Sequence, residues 1–149
     1  MAITSFRGEN EFLSNFYNWP FEFDGRRYMN AEAAFQAQKC PTENGKAKYE
    51  MAPPNIAKRM GRQEKLPTDW EKRSIDVMRG VLKAKFTNPV LRKKLLNTEN
   101  ETLVEGNTWH DNKWGDCICN KCVMRPGRNL LGNMLMELRD EIRKEGTDE

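Results

Sequence analysis

The chain has 149 residues, 38% of them hydrophobic and 32% charged, with 25 Lys and Arg against 22 Asp and Glu. That is enough for one domain with a buried core, and too apolar for a disordered chain. A formal charge of +3 permits an anionic ligand without demanding a nucleic acid polymer, and no apolar run is long enough to span a bilayer.

The opening MAITSFRGENEF lacks the apolar core of a signal peptide, so a cytoplasmic location is expected, with the four Cys reduced rather than bridged. Residues 2–6 suggest a short strand. Next comes an aromatic run, LSNFYNWPF, in which at least two of Phe16, Tyr17, Trp19 and Phe21 are expected in the core. Phe21–Phe23, Asp24-Gly25 and Arg26–Tyr28 predict a β-hairpin, because Asp-Gly supplies the positive φ angles of a tight turn. Asn30 is a candidate cap for a helix reaching Lys39. PPNIAKRMG predicts a second helix that starts on proline and stops at Gly61. Thr68-Asp69-Trp70-Glu71 matches a capping box. Behind it Ile75, Met78, Val81, Leu82 and Phe86 recur with helical period. Asn88-Pro89 opens another helix through Leu91 and Leu95. ETLVEG, residues 101–106, reads as a short strand, and residues 107–128 as a loop. A last helix carries Leu131, Met134, Leu135, Leu138 and Ile142 on one stripe, with a frayed polar tail after Lys144. The expected fold is mainly α, an α+β arrangement with a small hairpin and short strands, in a single domain without a dividing linker.

Two segments concentrate side chains capable of chemistry. On the first helix Glu32, Gln36 and Lys39 share one face, and Glu32 sits in the first turn, where the helix dipole favours its charged form. The ordinary alternative is a solvated polar face. Aromatic side chains with Ser14 and Asn15 just upstream are the ingredients of a heterocycle pocket. The second segment, EGNTWHDNKWGDCICNKC, places His110, Asp111 and Trp114 in a loop, where functional groups gather. Cys117, Cys119 and Cys122 form C-x-C-x-x-C, which Cys40 or His110 would complete as a tetrahedral structural zinc site. The alternative is a set of reduced, partly buried thiols.

Taken in order, FLSNFY, NAEAAFQAQK, GR…DW at residues 61–70, LVE, HDNKWGD and GRNLLGNMLMELR resemble the NADAR (NAD- and ADP-ribose-associated) family, the YbiA-like N-glycosidases, from about Phe6 to Arg139. The resemblance implies a mainly helical fold and hydrolysis of N-glycosidic bonds. The substrates it implies are phosphoribosylamino-pyrimidines, which are intermediates of riboflavin synthesis, or ADP-ribosyl compounds such as ADP-ribosylated guanine. It matches the family's Glu to Glu32, its helix-start Trp to Trp70 and its Asp-x-x-Trp-Gly aspartate to Asp111. Where the family has Ser-Glu-His, this chain has Ala31-Glu32-Ala33.

Departure of a base leaves positive charge on the ribose, so one or two carboxylates are wanted, for the cation and for water. On this reading Glu32 faces the cation or protonates the leaving group, and Asp111 directs the water. Trp70 offers a stacking surface, as do Phe16 and Trp114. Asn15 would orient a ribose hydroxyl, with Gln36 also among the substrate-binding candidates. Lys39, Arg62 and Arg128 would meet a phosphate, with Asn129 at the last helix's start. Catalysis needs no cofactor on this scheme. The expected partner is a small phosphoribosyl or ADP-ribosyl molecule, with nucleic acid involved only if it carries ADP-ribosylated guanine, and no membrane. A non-catalytic ADP-ribose or nucleotide-binding module is the alternative. A zinc-dependent nucleic-acid binder is disfavoured by the small charge.

Overall fold

The computed structural model describes residues 2–147. In chain order the elements are strand β1 (Ala2–Ile3), a 3-10 turn (Gly8–Leu13), strands β2 (Phe21–Phe23) and β3 (Arg26–Tyr28), helices α1 (Ala31–Ala37), α2 (Glu43–Ala47), α3 (Pro54–Gln63), α4 (Trp70–Lys85) and α5 (Pro89–Leu96), strands β4 (Thr102–Leu103), β5 (Gly106–Asn107) and β6 (Asp116–Cys117), and helix α6 (Leu130–Thr147). The fold is thus mainly α with short strand pairs. Contacts group these elements into two units. One runs from Asn15 to Asn88, and the other joins residues up to Ser14 with those from Pro89 onward.

In the unit from Asn15 to Asn88, β2 and β3 pair antiparallel, with Phe21 opposite Tyr28. Asp24 at φ 51° and Gly25 at φ 79° make the expected turn. Arg26 ties the hairpin to α2 and the turn after it, at 2.6 Å from Glu43 and 2.5 Å from Glu50. Asn30 caps α1 as expected, its Oδ1 accepting from Ala33 N–H at 2.7 Å. All seven residues of α1 are buried, which explains its run of alanines: small side chains let α3 and α4 approach on two sides. Ala33, where the family pattern has His, is fully enclosed.

Several expectations are corrected here. α3 does not stop at Gly61 but runs through it to Gln63, because Gly61 is needed for close packing inside the helix. Thr68 is not the N-cap of the helix it was expected to open. α4 begins at Trp70, whose N–H is taken by the Pro67 carbonyl at 3.0 Å, and the residue ahead of it, Asp69, makes no side-chain cap. Of the four aromatics at 16–21 only Phe21 is in the core. Tyr17 and Trp19 instead stack on each other, with centroids 6.0 Å apart, and Phe16 is exposed.

In the other unit, β1 pairs parallel with β4 and β5 pairs parallel with β6. The expected strands at 2–6 and 101–106 are therefore shorter, and the 107–128 segment contains β6. Leu91 and Leu95 of α5 are buried, as are Leu131, Met134, Leu135 and Ile142 of α6, with Leu138 half-buried. The fraying expected from Lys144 is not found up to Thr147. Arg92 of α5 holds Glu145 at 2.8 Å, within the last turns of α6. Residues 148–149 of the expected tail lie outside the described residues.

Candidate active site

The polar face of α1 is not solvated. Glu32 is only 8% exposed and Gln36, one turn on, 6%. Gln36 Nε2 donates to Glu32 Oε1 at 2.9 Å, so the carboxylate is held by a neutral donor. Gln36 itself is set by α3. A Cβ on Gly61 would lie 1.9 Å from Gln36 Oε1 and 2.4 Å from Cδ. Lys39 also reaches this point, its Nζ donating to the Gly61 carbonyl at 3.2 Å near the C-terminal end of α3. Arg62, beside it, is exposed.

Asn15 meets the start of the same helix. Its carbonyl accepts from Glu32 N–H at 3.0 Å, and its amide Nδ2 lies 3.5 Å from Met78 Sδ. Asn15 Oδ1 and Gln36 Oε1 are both buried with no hydrogen-bond partner among the described residues. Two unpaired amide oxygens beside a buried carboxylate are unusual in a plain core and point to a polar site. Phe16, 43% exposed, has Lys58 Nζ 5.8 Å from its ring centroid. Trp70 is buried, with its ring centroid 5.4 Å from that of Phe35 and the Arg73 guanidinium 5.9 Å from it. Its position suits an anchor of α4 against α1.

Asp111 and Trp114 belong to the other unit. Asp111 Oδ1 accepts from Lys113 N–H at 3.1 Å and from Trp114 N–H at 2.9 Å, closing an Asx turn. Lys113 Nζ lies 4.9 Å from the Trp114 ring centroid. Arg128 is exposed. Asn129, with φ 49°, spends its amide on backbone: Oδ1 accepts from Glu105 N–H at 3.0 Å and Nδ2 donates to Leu103 O at 2.9 Å. It ties the start of α6 to β4, so among these two the phosphate expectation rests on Arg128.

Two residues escaped the reading of the sequence. Buried Asn107 shapes the Asp111 turn, accepting from Asp111 N–H at 3.1 Å and donating to Asp111 O at 2.8 Å. Nothing in its local sequence marks it. Lys85 is buried on α4, 5.7 Å from the Tyr17 ring centroid and 5.3 Å from that of Phe86. Burial pulls its ammonium down to about 7. A signal existed: Lys85 falls seven residues after Met78 and four after Val81, on the apolar stripe.

His110, Cys117, Cys119 and Cys122 bring four ligand atoms within 4.8 Å of one another, a group that could hold a metal ion. Cys40, the other candidate fourth ligand, is not a member. It is buried in the first unit, where Gly45 packs against its side chain.

The family model for the NADAR domain matches residues 5–143, through both units. The chain belongs to the NADAR family. This NADAR chain is 40% identical over 134 residues to the N-glycosidase YbiA of Escherichia coli, covering 87% of this chain and 80% of that protein. It is 42% identical over 96 residues to the chloroplastic riboflavin biosynthesis protein PYRR of Zea mays, covering 60% of this chain but 14% of that one. The NMR structure of E. coli YbiA superposes with a TM-score of 0.83 at 35% identity, covering all of this chain and 88% of that one. No helix among the described residues of this NADAR chain is long and apolar enough to cross a membrane.

Proposed function

We propose that this chain is an N-glycosidase, a hydrolase of the C1–N bond in phosphoribosylamino-pyrimidine intermediates of riboflavin synthesis or in an ADP-ribosyl compound such as ADP-ribosylated guanine. The hydrolase class follows from family membership together with curated relatives that are N-glycosidases over most of this chain's length. The observation that carries the site is the buried Glu32 carboxylate, held by Gln36 at 2.9 Å at the start of an almost wholly enclosed helix.

As the C1–N bond breaks, the electron pair leaves with the base and the ribose ring takes positive charge. A carboxylate in a low-dielectric setting stabilises that charge more than a solvated one does. Glu32 fills this role, with Gln36 fixing which oxygen points where. Water supplies the new C1–O bond, and its proton ends on the departing nitrogen. For directing that water the sequence offers Asp111, whose Oδ1 is fixed within its own unit by two backbone N–H groups. Exposed Phe16 offers a face for a heterocycle, with Lys58 beside it, and exposed Arg62 adds positive charge in the same unit. The reaction is assigned to these side chains, and zinc at the cysteines would be structural.

The test offers the full-length protein a phosphoribosylamino-pyrimidine and an ADP-ribosylated guanine side by side, measuring release of the sugar phosphate and the free base. Glu32→Gln should cut turnover about a hundredfold or more, on the order of 3 kcal/mol, while binding persists. Binding of either compound without release by the parent protein would refute the enzyme reading in favour of a binding module. Glu32→Gln activity within about threefold of the parent would refute the role of Glu32.

A further inference from the structure

The cysteine loop carries a different chemistry. His110 Nδ1 lies 3.3 Å from Cys122 Sγ, 3.4 Å from Cys119 Sγ and 3.8 Å from Cys117 Sγ. As hydrogen bonds these contacts are incompatible with one another, since one imidazole nitrogen offers a single hydrogen or a single lone pair and cannot serve three sulfurs. A disulfide would use two thiols and leave the third thiol and the imidazole unexplained. The distances fit the edges of a tetrahedron instead. With metal–sulfur bonds of about 2.3 Å and a metal–nitrogen bond of about 2.0 Å, the nitrogen–sulfur edge is about 3.5 Å, the middle of the observed range.

The backbone is arranged for the same end. Cys117 hangs from β6, with its N–H held by Asn112 Oδ1 at 2.9 Å. Cys119 and Cys122 bracket a tight turn, in which Cys122 N–H donates to Cys119 O at 3.0 Å and Val123 N–H at 2.9 Å, the knuckle that a C-x-x-C metal pair requires. His110 sits at φ 68°, a left-handed conformation that a non-glycine residue rarely adopts, and its ring is turned onto the sulfurs. Around them the loop has little apolar core: Ile118, Val123 and Met124 are all exposed. Apart from the cysteines themselves, what holds residues 117–128 is polar: Ile118 N–H donates to Asn107 O, Gly127 N–H to Asp116 Oδ1 and Arg128 N–H to Asn112 O.

We propose that His110 Nδ1, Cys117, Cys119 and Cys122 form a tetrahedral zinc site that orders this loop. Four protein ligands leave no open coordination position, so the ion is structural. Each thiol binds as thiolate, releasing its proton on binding, and nothing is oxidised or reduced. Because His110 is a ligand, the ion also fixes the residue directly before Asp111. The inference rests on the loop's geometry and not on the glycosidase reading.

The test begins with the full chain purified under reducing conditions. Elemental analysis should find one zinc per chain. Replacement by cobalt(II) should give the intense visible bands of a tetrahedral ion, together with near-ultraviolet thiolate-to-cobalt bands. In the zinc-loaded protein a maleimide should leave the three loop thiols unmodified, and after chelation it should modify half-exposed Cys119 first. Cys119→Ser and His110→Ala should each weaken metal affinity at least about tenfold, and Cys40→Ser should leave it unchanged. Failure of the parent protein to take up stoichiometric zinc or cobalt, octahedral cobalt spectra, or loss of metal in Cys40→Ser would overturn the proposal. The labelling of the parent protein needs no variant, so the test survives a variant that fails to fold.

Discussion

Gly61→Ala should destabilise this protein, although alanine is the better helix former. At an open helical position the exchange gains about 1 kcal/mol. Here the new methyl carbon would sit 1.9 Å from Gln36 Oε1 and 2.4 Å from Cδ, so the amide must move. It is buried against α3, and moving it breaks its bond to Glu32. A hydrogen bond to a charged acceptor contributes about 1.5–3 kcal/mol, and displacement adds local strain. The net expectation is a loss of about 1–2 kcal/mol, or a melting point lower by roughly 2–8 °C for a chain of this size. The decisive measurement is a double-mutant cycle in urea with Gln36→Ala. With the long side chain gone the methyl has room, and Gly61→Ala should become neutral or stabilising by about 1 kcal/mol. Turnover should fall in Gly61→Ala and Gln36→Ala alike, since both strip the same donor from Glu32. Stabilisation by Gly61→Ala in the parent background, or effects that add within about 0.5 kcal/mol, would refute the reasoning.

Asp111→Asn keeps the Oδ1 that closes the turn and removes the charge, so turnover should drop about a hundredfold with an unchanged melting point; a loss seen only in Asp111→Ala would reassign Asp111 to the turn. Lys85 has its pKa lowered from 10.5 to about 7, so between those values the unfolded chain binds more protons than the folded one, and stability should rise with pH across that window. The slope can reach about 1.4 kcal/mol per pH unit; Lys85→Met should flatten it in denaturation measured at a series of pH values, and an unchanged slope would sink the assignment. Arg139, buried on α6, donates to Thr98 Oγ1 and to Glu101 O, both at 2.9 Å. Arg139→Met should therefore lose about 2–3 kcal/mol in urea unfolding, and a loss below about 0.5 kcal/mol would show that the two bonds add nothing net.

What was legible in the sequence depended on whether a local pattern decided the outcome. The hairpin followed from Asp24-Gly25, the α1 cap from Asn30 and the α4 and α6 stripes from period, because turn chemistry and amphipathicity are written in neighbouring residues. Gly61 misled, since a glycine that ends a helix and one that admits a partner helix look alike until Gln36 is placed. The burial of Glu32 and Gln36 was not legible: AEAAFQA shows helical spacing, but only tertiary packing says that every side is covered. Asn129 was read for the helix N-terminus it precedes, whereas its amide is used up by Glu105 and Leu103. For the thiols, sequence spacing left Cys40 and His110 equal as fourth ligand, and only the turn at His110 distinguishes them.

The parallel pairing of Ala2–Ile3 with Thr102–Leu103 bears on how the molecule is made. Residues 15–88 form an uninterrupted stretch, whereas the unit around α5 and α6 takes its first strand from the very beginning of the chain. At a synthesis rate of about 5–20 residues per second, β1 emerges roughly 5–20 s before the strand it will pair with. By the end of that interval the segment Asn15–Asn88 has all of its own residues available, while β1 still waits for its neighbour. The β1–β4 pairing therefore cannot be completed in birth order: it waits for residues 102–103, made after the whole of Asn15–Asn88. A lesion at Leu103, the fully buried partner of Ile3, would on this account strand the beginning of the chain long after the middle is complete.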